Sequence, residues 1–369
     1  MSINIKQLTP ATAIHPGEIL NDELKERGIK QKEFAQLTGI PQTQLNEIIK
    51  GKRGVNADVA LLIGKVLKMD ATVWLILQSN YELDEAKVNS KNIERIAALD
   101  SWQMVKPFIP EKYFKKLGIL TGNPVQDIPV VKNIYRVQNF DQLAAVYSQA
   151  VFSKFRKSEK LSIDKINLVG WTKLVHYLAD EKVVKDFEVR QEGELVKTLN
   201  EVFRKNKNTV EKTIQVLAEY GIKLIVQSHP EKCAVDGISF WSNGNPAIGI
   251  SIRHKRIDNF AFTIMHELGH VFKHLINNNT AQFIDLDKEH NTPEYANSKE
   301  EKEANEFAGN SLIAFSEWKK FKTSNPSFNK SAIVDFAKSH KINPAIVQGR
   351  YCFDMDFYAI KSSIDRALN

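Results

Sequence analysis

His266-Glu267-Leu268-Gly269-His270 reads H-E-x-x-H and lies in an apolar run, Ile250 to Phe272, that can carry it as a helix. Positions four apart share one helix face, about 6 Å apart along the axis. Two imidazoles so placed can grip one Zn²⁺, and the glutamate between them reaches a metal-bound water. Zinc brings the pKa of that water toward neutrality, and the carboxylate takes its proton as the oxygen attacks a carbonyl. This is the chemistry of a metal-dependent peptidase, with Glu267 as general base. Two chance histidines on a surface helix would have polar flanks. Here the flanks are Phe260, Phe262, Ile264, Leu268, Val271 and Phe272, which predict burial. A buried carboxylate beside two imidazoles is costly without a partner, and a metal is the simplest one.

A catalytic site needs a third protein ligand and an open position. His274 continues the four-residue spacing, but it stands eight residues from His266, about 12 Å along a straight helix. Bonds of about 2 Å cannot bridge that span, so His274 is expected to pack or to support a ligand. The stretch Glu300-Glu301-Lys302-Glu303-Ala304-Asn305-Glu306-Phe307-Ala308 is a second helix signal. Glu301, Ala304, Asn305, Ala308 and Leu312 share a face that suits close packing on another helix. Glu301 is the expected third ligand, and Asn305 can hold a ligating histidine through its other ring nitrogen. Glu303 sits on a different stripe and is the weaker candidate. An exposed acidic helix start, favoured by the helix dipole, is the alternative for the whole stretch. His290 and Tyr295 are near enough in sequence to serve an oxyanion, but spacing assigns neither. Two histidines and one glutamate favour Zn²⁺ over Mn²⁺ or Fe²⁺.

Three motifs now stand in order: Gly237-Ile238-Ser239-Phe240-Trp241, then Arg256 to Met265 running into His266–His270, then Glu301 to Ala308. Together they resemble the ImmA/IrrE family of metallopeptidases over roughly the last two fifths of the chain. The resemblance implies a zincin-like domain with His266, His270 and Glu301 as ligands and Glu267 as base. The family's Leu-Leu-Met-Pro-like continuation is replaced here by Leu312-Ile313-Ala314-Phe315, without the proline. Ala332 to Tyr351 looks like the family's terminal helical piece, with a turn at Asn343-Pro344.

The other end of the chain makes a separate case. Gln31 to Leu37 forms a short amphipathic pattern, Thr38-Gly39-Ile40 a tight turn, and Pro41 suits the start of a helix over Gln42 to Lys50, stopped by Gly51. This is a helix-turn-helix pattern. Its second helix would enter a major groove by the end that carries Gln42, Thr43 and Gln44. Gln31 belongs to the same surface, and Lys50, Lys52 and Arg53 are placed to reach phosphates. A small helical bundle for protein contact is the alternative. His15-Pro16-Gly17-Glu18-Ile19-Leu20, Gly51-Lys52-Arg53-Gly54 and Trp74-Leu75-Ile76-Leu77-Gln78 resemble the HigA-type antitoxins within the XRE helix-turn-helix regulators, over about residues 10 to 87. The resemblance implies a five-helix domain that dimerises on a palindromic operator, and in some relatives a ribonuclease toxin as partner.

The 369 residues are 43% hydrophobic, enough for more than one core. The first 13 residues lack a basic region followed by an apolar stretch, and no apolar run is long enough to span a membrane, so a cytoplasmic protein is expected. Cys233 and Cys352 are the only cysteines, which argues against a disulfide framework or a cysteine-ligated metal. An inhibitory thiolate from Cys233 on the zinc is the outside possibility, and an inert buried cysteine the expectation. The formal net charge is +7, and residues 91–210 hold all of it, with 21 Lys+Arg against 14 Asp+Glu. Residues 1–90 balance at 11 and 11, so DNA affinity would need a local patch or dimerisation. The middle lysines read as an ordinary solvated face.

The expected fold is mainly α with a small β-sheet. Its expected parts are a five-helix domain over 1–88, a helical middle region over 89–208, and an α+β metallopeptidase domain over 209–369. In the middle region, helices are expected over Ile93–Trp102, Asp141–Phe155, Trp171–Asp180 and Glu192–Phe203, with Pro107, Pro110, Pro124 and Pro129 as punctuation. Strands are expected at Leu224–Val226 and Ala247–Ile252. The expected function is a DNA-binding regulator, antitoxin-like, whose zinc endopeptidase domain cleaves a repressor or antitoxin. Operator DNA, a protein substrate, a ribonuclease toxin and a second copy of the DNA-binding part are the expected partners. The alternative is a repressor or antitoxin whose metal site is structural or sensory, without protease activity.

Overall fold

Residues 13–147, 163–286, 297–355, 360 and 362–369 are described by the structure, a computed structural model. Helices dominate them, with one four-stranded sheet, the fold class expected from sequence. The chain divides into two units, Met1–Ser101 and Trp102–Asn369.

The first unit contains helices α1 (Pro16–Glu26), α2 (Gln31–Thr38), α3 (Gln42–Ile49), α4 (Ala57–Leu67) and α5 (Ala71–Val88). His15 caps α1: its Nδ1 accepts the Gly17 N–H at 2.9 Å, while Glu18 accepts the His15 N–H at 3.3 Å. This reciprocal pair satisfies two donors that the helix start leaves open. Gly39 ends α2 with φ at +73°, a conformation that favours glycine, and so turns the chain into α3. Leu20, Phe34, Leu45, Ile48, Ile63 and Trp74 fill the core between the helices. Gly17 lies against the Ile48 carbonyl, where a Cβ would not fit, so α1 and α3 meet at backbone distance.

Then follow α6 (Ser90–Val105), α7 (Glu111–Lys116), α8 (Pro124–Tyr135), α9 (Asp141–Tyr147), α10 (Ile163–Glu181), α11 (Glu192–Lys205) and α12 (Thr209–Glu219). The proline stretch is more helical than its punctuation suggested. Pro124 occupies the first turn of α8, where its missing N–H costs nothing, and Pro129 is carried inside the helix. Burial of Val131, Ile134 and Tyr135 outweighs the hydrogen bond that Pro129 removes. The part of the expected Asp141–Phe155 helix beyond Tyr147 lies outside the described residues.

Strands β1 (Lys223–Val226), β2 (Val235–Ser242), β3 (Asn245–Ile250) and β4 (Gln282–Leu286) lie in the order β1-β3-β2-β4. β1 runs parallel to β3, and the other neighbours are antiparallel. Asn243 and Gly244, both at positive φ, make the tight β2–β3 hairpin. Helix α13 (Ile257–His270) continues through a π-helical turn, Val271–Leu275. It begins at Ile257 rather than near Ile250, because Ile250 is the last residue of β3. Then come α14 (Lys299–Leu312), α15 (Phe315–Ser324), α16 (Lys330–His340) and α17 (Pro344–Asp354). At the segment lacking the family's proline, Ile313 takes an extended conformation and ends α14, and Ala314 precedes α15.

Each face of the sheet has its own core. Ile248 and Ile250 of β3 pack with Ile264, Met265 and Leu268 of α13. Ile238 and Phe240 of β2, Ala247 of β3 and Ile284 of β4 pack on the opposite face with Val175 of α10 and Tyr135 of α8. Cys233 belongs to this second cluster, and Cys233 and Cys352 are both buried and form no disulfide.

Candidate metal centre

The sheet presses α13 from one side and α14 packs on it from the other. Gly269 makes the helix contact close: a Cβ there would stand 2.8 Å from the Ala304 Cα and 3.1 Å from the Ala304 carbonyl oxygen. With no side chain at 269, Glu301, one turn before Ala304, reaches the two histidines. His266, Glu267, His270 and Glu301 are all at most 4% exposed.

Three ligand side chains converge, Glu301 through both its oxygens. His266 Nε2 and His270 Nε2 are 3.1 Å apart, Glu301 Oε2 is 3.4 Å from the first, and Glu301 Oε1 is 3.4 Å from the second. Tetrahedral bonds of about 2.0–2.1 Å to one Zn²⁺ put neighbouring ligand atoms about 3.3 Å apart, so the triangle fits the ion. The donor set agrees, with two nitrogens and a carboxylate and a fourth direction left open. His266, His270 and Glu301 are grouped as able to hold a metal ion among the described residues, as are His266, Glu267 and Asp285.

The surroundings fix the rings. Asn305 Oδ1 lies 3.1 Å from His266 Nδ1, so a proton on Nδ1 is held there and Nε2 keeps its lone pair. Phe283 of β4 stacks on His270, with centroids 4.4 Å apart and planes 7° from parallel. His274 stands apart from the triangle: its Nε2 is 3.2 Å from the Glu300 carbonyl and 3.8 Å from Glu303, tying the π-turn to the start of α14. Glu303 is 39% exposed in its side chain and points at His274.

Glu267 sits against β2. Its Oε2 accepts a hydrogen bond from the Ser239 hydroxyl, and its Oε1 is buried without a protein partner. Burial, with the nearby Asp285 and Glu301 charges adding, raises the Glu267 carboxyl to about 8 against the pull of His266 and Ser239. Burial alone would lower His266. The Glu301 hydrogen bond and the Asp285, Glu267 and Glu301 charges overcome it and raise His266 to about 9. Burial lowers His270 to about 4. Burial would raise Glu301, but its two histidine partners hold it below the ordinary carboxylate range.

Ser239, Gly237, Phe283 and Asp285 around this centre were not singled out as site residues from sequence. β2 is buried on both faces and shows no alternation, and β4 has five residues. His290 and Tyr295 lie outside the described residues.

In the first unit, α3 shows Gln42 and Thr43 exposed at its start and Gln44 half-buried. Lys50, Lys52 and Arg53 are exposed after its end, and Arg53 pairs with Glu47 at 3.3 Å. Gln31 is half-buried and donates to Asn21 at 3.4 Å.

A helix-turn-helix unit followed by an H-E-x-x-H helix that a glutamate helix completes defines a regulator-like protein with a metallopeptidase-like domain. Comparison with protein families agrees. Residues 20–74 match the helix-turn-helix family, and residues 218–320 match the peptidase M78 family described as the IrrE N-terminal-like domain. Virulence-associated protein I of Dichelobacter nodosus is 37% identical over 90 residues, 24% of this chain and 83% of that protein. The uncharacterized HTH-type transcriptional regulator YddM of Escherichia coli (strain K12) is 28% identical over 72 residues, 20% of this chain and 77% of that one. The solved Pseudomonas aeruginosa antitoxin HigA with higBA promoter is 39% identical, covering 22% of this chain and 91% of its own, with a TM-score of 0.21. The chain thus belongs to the helix-turn-helix family through its N-terminal part and joins to it an IrrE-like peptidase domain.

Proposed function

We propose that this chain is a DNA-binding regulator that carries a zinc endopeptidase, and that the peptidase cuts a repressor or antitoxin. The single observation that carries the peptidase reading is the buried triangle of His266, His270 and Glu301 beside a carboxyl, Glu267, with one oxygen unpartnered. When bound there, zinc would activate water and polarise the scissile carbonyl. The protein does the rest. His266, His270 and Glu301 hold the ion, and Asn305 keeps the Nδ1 proton of His266 in place. Glu267 takes the proton of the attacking water and hands it to the departing amine nitrogen. Burial raises the proton affinity of the Glu267 carboxyl above the ordinary carboxylate range, and a cation bound beside it would favour the ionised form that accepts the water proton.

In the same reading, residues 1–88 bind DNA, 89–208 connect, and 209–369 form the peptidase. Exposed Gln42 and Thr43 at the start of α3, and a relative named as a transcriptional regulator, support operator binding. Leu61, Val73, Ile76 and Leu83 expose apolar side chains on α4 and α5, which suits a second copy of this unit. A ribonuclease toxin is the further partner of an antitoxin-like headpiece. New protein N-termini in cells making the wild-type chain or Glu267→Gln test the reading. A cut that appears only with wild type supports it and identifies the substrate; identical N-termini under every stress, with zinc retained, refute it.

A further inference from the structure

Strand β2 brings two residues against Glu267, and they treat its two oxygens differently. Ser239 is completely buried, and its hydroxyl bonds Glu267 Oε2 and lies 3.1 Å from the Glu267 main-chain carbonyl. Gly237, two residues earlier on the same strand face, lies beside the other oxygen, and a Cβ there would run into Oε1. Oε1 is buried and has no hydrogen-bond partner among the described residues. One carboxylate oxygen is therefore anchored, and the other is given room by a missing side chain. A carboxyl turns freely about its last bond unless something holds it.

We propose that Ser239 is the positioning residue of the peptidase: it pins Oε2 of Glu267 so that Oε1 alone receives and returns the proton, with Gly237 keeping the space that Oε1 needs. A hydrogen bond to Oε2 survives both states, since Oε2 remains an acceptor whether Oε1 carries the proton or not. The proton moves from water to Oε1 and then from Oε1 to the leaving nitrogen, so Ser239 neither gains nor loses one. The inference rests on Glu267 being the base proposed above.

The test compares full-length, zinc-loaded wild type, Ser239→Ala, Ser239→Thr and Glu267→Gln on a fluorescence-quenched peptide library, then on its best-cleaved member. Zinc content and thermal midpoint are measured in the same samples. Ser239→Ala is expected to lose about ten- to a hundredfold in kcat, the usual cost of removing a group that orients a reacting one, with KM and zinc content unchanged. Ser239→Thr, which keeps the hydroxyl, is expected to recover most of that loss. Undiminished kcat in Ser239→Ala overturns the proposal, as does a loss that only follows lost zinc, raised KM or lowered thermal midpoint. Failure of the wild-type chain to cleave any peptide instead removes the peptidase reading itself, and Ser239 with it. Cleavage by wild type with an unaffected Ser239→Ala removes the Ser239 role alone.

Discussion

Asn305 shows how much one amide can do at this site. Its Oδ1 lies 3.1 Å from His266 Nδ1 and so holds the ring whose Nε2 faces His270 and Glu301. Its replacement by alanine leaves His266 free to rotate and to exchange its tautomer. Asn305→Ala is expected to weaken zinc binding about ten- to a hundredfold, read by competition with a chelating dye. Equal affinity in the two proteins would show that Phe262 stacking and burial suffice to hold His266. At this scale the meeting of His266 and His270 was legible in the sequence, because a four-residue spacing means one helix face wherever the helix lies. Asn305 was legible for the same reason, one turn from Glu301. Ser239 was not, since it stands 28 residues before Glu267 and only the docking of α13 on β2 brings them together.

Between elements, the contact of α13 with α14 decides whether Glu301 reaches the histidines. Gly269 sets that contact at backbone distance, so an added methyl meets Ala304 main chain, which cannot turn aside. Gly269→Ala is expected to push the helices apart, destabilise the unit by about 1–3 kcal/mol and lose zinc affinity together. Thermal melting with and without zinc measures both effects. A Gly269→Ala chain with unaltered melting and zinc affinity would mean that the two helices close without this residue. The sequence showed both helices through their periods, although the start of α13 lies at Ile257 rather than near Ile250. It showed the sheet only in part. β1 and β3 are short apolar runs, whereas β2 mixes Gly237, Ser239 and Trp241 with apolar residues and β4 alternates over five positions. The proline stretch misled in the opposite direction: a proline in the first turn of a helix is a start signal, and Asp127 stabilises α8 by accepting the N–H groups of Thr121 and Gly122 at 2.8 Å each.

At the scale of the whole molecule, two cores on opposite faces of the sheet make the stability of the second unit depend on groups far from the histidine–glutamate triangle. His176 on α10 stacks on Phe240 of β2, with centroids 4.0 Å apart, inside the cluster that faces away from α13. Burial, with the Lys173 and Arg136 charges, lowers it from 6.5 to about 3. The unfolded chain therefore binds this proton first, and the folded form is favoured above about pH 6.5. That contribution is lost as pH falls from 6.5 toward 3. His176→Phe keeps the ring and removes the titration, so denaturation midpoints are expected to fall less between pH 7 and pH 5 than in wild type. Parallel curves for the two proteins would contradict this. The helix-turn-helix end was legible as a unit because its turns are short and its glycines sit where the backbone is left-handed, as at Gly39 and Gly51. Helices α8 and α10 carry no comparable motif, and their packing against the sheet follows from long-range contacts that no local pattern encodes.

In the proposed peptidase, His266, His270 and Glu301 hold one metal ion for a base at Glu267. Zinc content and peptide cleavage are to be measured on the same purified wild-type, Glu267→Gln and Glu301→Gln chains. One zinc per chain and cleavage are expected in wild type, one zinc and no cleavage in Glu267→Gln, and weakened zinc binding in Glu301→Gln. Cleavage by Glu267→Gln at the wild-type rate, or full zinc affinity in Glu301→Gln, would contradict this assignment.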